Sequence, residues 1–128
     1  MATPTPEPYG RPMDIVRVYA DDAGESHFED LSIDMVESGL AGRMSELWSA
    51  SGVIFREVAP DYDLDWHNAP RRQLVVNLTG SVEIEASDGS VRRLEAGSIL
   101  LADDTTGKGH LSRNPSGQPR TCLFIPLD

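Results

Sequence analysis

Apolar and polar residues alternate along most of this 128-residue chain with the two-residue period of strands, not the longer period of helices. "IVRVYA", from Ile15, is the first such stretch, and "LSIDMV" gives a second short strand. "GVIFREVAP" sets Val53, Phe55 and Glu57 on one face and Ile54, Arg56 and Val58 on the other. "QLVVNLTG" and "SVEIEA" follow, and Ser87-Asp88-Gly89 marks a tight hairpin into "SVRRLEAG". "SILLAD", "HLSRN" and "TCLFIPLD" complete the set, separated by the loop "DDTTGKG" and the turn "PSGQP". Only "AGRMSELWSA" (41–50) reads as one or two helical turns. Short strands with turn signals roughly every 8–12 residues predict an all-β sandwich or barrel, here a single domain over residues 13–128. Residues 1–12 are proline-rich and carry no period, which predicts a flexible N-terminal arm.

One strand raises a packing question. In "QLVVNLTG" one face carries Gln73, Val75, Asn77 and Thr79, and the other carries Leu74, Val76 and Leu78. The second face is too apolar to meet water, so the arm or a second subunit is expected to cover it. A homodimer is the expected assembly.

Composition narrows the partners. The net charge is −10, and the closest approach to a basic run is Arg71-Arg72 and Arg92-Arg93, which argues against nucleic acid. No run of about 20 apolar residues exists, so no membrane span is expected. The start lacks the pattern of a signal peptide, and a cytoplasmic location is expected. The lone Cys122 cannot form an internal disulfide and reads as a buried, inert thiol on the last strand. "TTGKG" lacks phosphate-loop spacing, and the chain has no nucleophile elbow, cysteine pair or H-E-x-x-H helix. The sequon at Asn77 lies inside a predicted buried strand and is discounted.

His67, Gln73 and His110 stand out against this background. If one strand runs through residues 67, 69, 71 and 73, they share a face, and His110 opens its own strand after the glycine-rich loop. Two imidazoles and an amide oxygen would form an open coordination shell for a metal. Equally, a buried His and Gln can hydrogen-bond each other or the backbone.

These residues carry a resemblance to the cupin family, small barrels of the double-stranded β-helix type. The family's first motif, G-x5-H-x-H-x3–4-E-x6-G, falls on Asp61, His67, Ala69, Gln73 and Gly80. Asp61 replaces the glycine, Ala69 the second histidine and Gln73 the glutamate. The second motif, G-x5-P-x-G-x2-H-x3-N, begins at Gly97 and ends at His110 and Asn114. Asp103 replaces its proline, and the loop before His110 is two residues longer. The resemblance spans roughly Gly52 to the C-terminus and implies a jelly-roll barrel around a ligand pocket.

The resemblance also implies a divalent ion (zinc, nickel, iron or manganese) held by His67, Gln73 and His110. With a neutral amide in place of a carboxylate, such an ion keeps more of its charge and acts as a stronger Lewis acid. That favours non-redox isomerase, lyase or cyclase chemistry on a carbonyl-containing or anionic small molecule. Asp103 and Asp104 are the carboxylates that can alter this balance. An iron-dependent dioxygenase, which needs a carboxylate or a third histidine, and a non-catalytic ligand-binding module are the alternatives. Arg71, on the face of Gln73, reads as a substrate clamp or as a rim arginine paired with an aspartate. Lys108 offers a second cation, or only solubilises its loop. His27 reads as a general acid or base if the N-terminal segment crosses the barrel mouth, and otherwise as an exposed, inert ring. Tyr62 and Trp66 are placed at the mouth and Asn77 in the pocket.

Overall fold

The computed structural model describes residues 9–10 and 12–128. Most of the expected N-terminal arm therefore lies outside the described residues. Twelve strands run in the order β1 (Met13–Ala20), β2 (Ser26–Ile33), β3 (Val36–Glu37), β4 (Arg43–Met44), β5 (Ile54–Val58), β6 (Asp63–His67), β7 (Gln73–Thr79), β8 (Val82–Ala86), β9 (Val91–Leu94), β10 (Ile99–Asp103), β11 (His110–Arg113) and β12 (Arg120–Pro126). A six-stranded sheet has the order β2-β1-β10-β7-β12-β5, a four-stranded sheet has the order β6-β11-β8-β9, and β3 pairs with β4 alone. The all-β reading holds, as a two-sheet jelly roll. Among the described residues no helix is long and apolar enough to cross a membrane.

The inward faces of the two sheets meet in one core. Val18, Leu100 and Ala102 from the larger sheet pack with Val82, Ile84 and Leu94 from the smaller one. Burying each of the larger of these side chains stabilises the fold by about 1.5–3 kcal/mol. At one rim, Ser26 ties β2 to the β8–β9 hairpin. Its Oγ donates to the Gly109 carbonyl at 2.7 Å and accepts from the Ser87 N–H at 2.7 Å. The hairpin itself closes through Gly89 N–H to the Ala86 carbonyl, where the Ser-Asp-Gly signal placed it.

Two local expectations fail for identifiable reasons. The second strand is Ser26–Ile33, not "LSIDMV", because a turn at Asp21 sets the register with β1. The Asp21 carboxylate accepts from the N–H groups of Ala23 and Glu25, which pairs Ala20 with Ser26. Residues 41–50 form no α-helix beyond a 3-10 turn at Gly39–Ala41. Met44, Leu47 and Trp48 do have helical spacing, but the stretch is short, follows Gly42, and Met44 pairs with Val36 as a strand rather than joining a buried helix face. It runs extended instead, and Ser51 N–H and Asp128 N–H bond the carbonyls of Pro126 and Ser49.

Trp48 on this extended segment lines a groove together with Met13, Ile15, Ile33, Leu74 and Ile99. The chain's own residues Ser45 and Trp48 thus flank part of the outer face of the large sheet. Leu78, on the strand of Leu74, is half exposed.

Candidate functional site

The site begins with a pairing between β6 and β11. His67 and His110 stand opposite each other on these antiparallel strands, and their ring centroids are 4.4 Å apart. The loop before His110 must pass very close to β6 for this to happen. Gly109, at φ +75°, makes it possible: a Cβ there would lie 2.3 Å from the His67 carbonyl oxygen. A bulge then changes the face count. His110 opposes His67, but Ser112 opposes Leu64, so β6 carries one extra residue between them. Leu64 and His67 both reach the interior, and Trp66 is displaced outward. Trp66 is 44% exposed and does not line the cavity, contrary to its expected place at the mouth.

Each imidazole is anchored through Nδ1. His110 Nδ1 donates to the buried Asp104 carboxylate at 2.5 Å, and His67 Nδ1 donates to the Asp65 carbonyl at 2.7 Å. Neither Nε2 has a protein partner among the described residues. Burial pushes the His67 imidazole below the ordinary histidine value, and its neighbour His110 adds to that push, while the Asp65 carbonyl opposes it. Asp104 is fixed by the loop between β6 and β7: its carbonyl accepts from Ala69 N–H and from Asn68 Nδ2. It sits on the Nδ1 side of His110, the position that fixes an imidazole's tautomer and orientation. Asp103 lies on the outer surface, bound by Arg17 at 2.8 Å and Arg72 at 3.4 Å. Neither carboxylate joins the free nitrogens.

Gln73 opens β7 in the other sheet and faces the same cavity. Its side chain is buried, and Oε1 has no hydrogen-bond partner. An amide oxygen hidden without a partner costs roughly 1–3 kcal/mol, so the fold spends stability to keep it there. The cavity, about 200 Å³, is lined by His67, Gln73 and His110, and by Tyr62, Ser112, Arg56, Arg120 and Asn77, the last lying four residues along β7 from Gln73 and bound by Arg120. Val75, Val82, Ile84, Leu94 and Leu100 form its apolar walls.

Arg56 and Arg120 were not among the expected site residues. Arg120 is 3% exposed, its Nε has no partner, and one terminal nitrogen donates to Asn77 Oδ1 at 3.3 Å. Gly80, at φ +74°, lets β12 come this close, since a Cβ there would sit 3.1 Å from Arg120 Cβ. Burial pushes the Arg120 guanidinium below the ordinary arginine value, and the like charge of Arg56 adds to the effect. Arg56 lies over the rings of Tyr62 and Phe124, at 5.2 and 5.0 Å. The Tyr62 hydroxyl in turn shares a 2.6 Å hydrogen bond with Ser112.

Other expected residues fall elsewhere. The chain does not continue as one strand from His67 to Gln73. It bends through Pro70 to change sheets, so Arg71 is exposed and outside the cavity. Lys108 is bound to Glu25 at 2.5 Å on the surface. His27 uses both ring nitrogens, 2.7 Å from Asp21 and 2.9 Å from Asp88, and likewise lines no part of the cavity.

Two facing sheets thus enclose one cavity, and the two histidine motif positions meet across paired strands at its end. The fold is a two-sheet jelly roll. No protein-family model matches the chain, and no curated protein does. Among solved structures, a cupin domain from Bordetella pertussis Tohama I is 23% identical. The match covers 59% of this chain and 79% of that one, with a TM-score of 0.46. A protein from Neisseria meningitidis is 13% identical over 95% of this chain and 88% of its own, with a TM-score of 0.47. The jelly-roll description rests on the strand order of the chain itself. Within this barrel, Ala69 is buried at 4% exposure and packs in the core.

Proposed function

We propose that the protein is a small-molecule enzyme whose chemistry occurs at His67, His110 and Gln73, of the non-redox isomerase, lyase or cyclase kind. One observation carries this reading: two adjacent imidazoles are each tied at Nδ1 and left free at Nε2, beside a buried amide oxygen that nothing satisfies. A fold that needed only structural histidines would have bonded these groups to one another.

The donor set fits a divalent ion with open positions, although among the described residues no group of three His, Cys, Asp or Glu comes together. His67 and His110 would supply nitrogen and Gln73 oxygen, and the ion would polarise a substrate carbonyl as a Lewis acid. The chain's own groups define the rest. Asp104 holds the His110 ring in one tautomer and orientation, with Nε2 as the basic atom. The apolar walls exclude water and shape the space for a small organic body. Asp104 and Asp103 both stand away from the free nitrogens, which favours this reading over an iron dioxygenase with a carboxylate ligand.

Gln73→Glu tests it. The added carboxylate is expected to retain or tighten zinc while lowering its Lewis acidity. Deuterium exchange beside the carbonyl of short keto acids, followed by NMR, should then slow without loss of metal. Equal exchange rates in wild type and variant, or no exchange by the wild type, would contradict the proposal.

A further inference from the structure

The imidazole end leaves the far end of the cavity unexplained. The chain has 21 acidic residues against 11 Lys and Arg, so a carboxylate partner for an arginine is easily found. Arg17, Arg72, Arg92, Arg93 and Arg113 each meet one on the surface. Arg56 and Arg120, on the neighbouring strands β5 and β12, meet none among the described residues. Their contacts are Asn77 Oδ1, the Cys122 sulfur at 4.0 Å and aromatic rings. Two like charges placed side by side in an apolar cavity repel each other and lose hydration. The rings lend partial compensation and no counter-charge.

We infer that Arg56 and Arg120 form a carboxylate-binding subsite, and that the protein's substrate is a small organic carboxylate with an apolar body. A bound carboxylate supplies the missing negative charge and an acceptor for the unpartnered Arg120 Nε–H. The Tyr62 and Ser112 hydroxyls line the same end. Carboxylate is favoured over phosphate because phosphate sites are usually built from helix N-termini or runs of backbone N–H, and the arginine end presents side chains on strands. His110 and Ser112 lie two residues apart on β11, a separation of about 7 Å. A short-chain or single-ring acid anchored at the arginines extends along the same cavity that the imidazoles line. This inference rests on the imidazole end being the place of chemistry, and it adds the class of molecule that enters.

The test uses the full chain and follows the Arg120 Nε–H resonance by 15N NMR. Benzoate, butyrate and 2-oxobutyrate are titrated to millimolar concentration beside benzamide, butyramide and inorganic phosphate. At least one carboxylate is expected to shift the resonance, and its amide and phosphate are not. Arg56→Gln should weaken that carboxylate by about 10- to 100-fold, with zinc binding and melting temperature unchanged. The inference is overturned if no carboxylate binds, if amides or phosphate bind as well, or if Arg56→Gln binds like wild type. Carboxylate binding without zinc binding would instead sink only the proposal for the imidazole end, so the two failures are distinguishable.

Discussion

The two ends of the cavity hold their polar groups in opposite ways. At the imidazole end, each histidine has an anchor: Asp104 for His110, the Asp65 carbonyl for His67. What stays free there is mostly lone pairs: two ring nitrogens, the Gln73 amide oxygen and the buried Asp104 Oδ1. At the arginine end the free groups are donors and positive charge, with an unpartnered Nε–H and no carboxylate. One end offers lone pairs, and the other offers donors and positive charge. A molecule with a carboxylate at one side and a polarisable carbonyl at the other satisfies both.

The glycines that admit each end offer the strongest way to separate them. Gly109→Ala would place a Cβ 2.3 Å from backbone at His67, at a positive φ. It is expected to cost about 3 kcal/mol or more and to disrupt the imidazole pair, read as lost zinc binding in chemical denaturation and dialysis experiments. Gly80→Ala meets Pro119 O at 2.9 Å and Arg120 Cβ at 3.1 Å. About 1–3 kcal/mol is expected there, and carboxylate affinity should fall before zinc binding does. If both variants lose both activities together, the cavity acts as one unit and the comparison fails.

Arg120→Met has a smaller expected effect on stability. It leaves Asn77 Oδ1 without its arginine partner but removes a buried, unpaired charge, so melting should move by no more than about 1 kcal/mol equivalent. A loss of about 3–5 kcal/mol, as when one member of a buried ion pair is removed, would show that Arg120 is a structural cation.

The smallest effect lies outside the cavity. Asp21 and then Asp88 hold the His27 pKa above its ordinary 6.5. A raised folded value means protonation favours the fold. The stabilisation is complete below about 6.5, the unfolded value, and is lost as pH rises through the higher folded value. The melting difference between wild type and His27→Gln should therefore shrink with rising pH, with ligand binding unaffected. A difference that grows with pH would contradict the assigned ion pairs.

These contrasts also explain what the sequence could disclose. The imidazole end was legible because histidine is rare here and His67 and His110 fall at strand termini with a glycine-rich loop between strands. Strand alternation even placed Arg56 opposite Phe55 and Glu57. Its meaning as half of an arginine pair was hidden, because Arg120 follows the turn "PSGQP" far along the chain. Trp66 was misplaced because the β6 bulge adds one residue, which reverses every face beyond it. Arg71 was misplaced because the chain leaves one sheet at His67 and enters the other at Gln73, so no common face exists. Bulges and sheet changes are tertiary events, and a period-two pattern does not register them.

Equilibrium dialysis against zinc, run in parallel on wild type, His110→Ala and Arg56→Gln, addresses the central claim most directly. Wild type and Arg56→Gln are expected to bind zinc stoichiometrically, and His110→Ala to lose most of it, because the proposed ligands are His67, Gln73 and His110, not the arginines. No zinc on the wild type, or equal zinc on His110→Ala, would contradict the account.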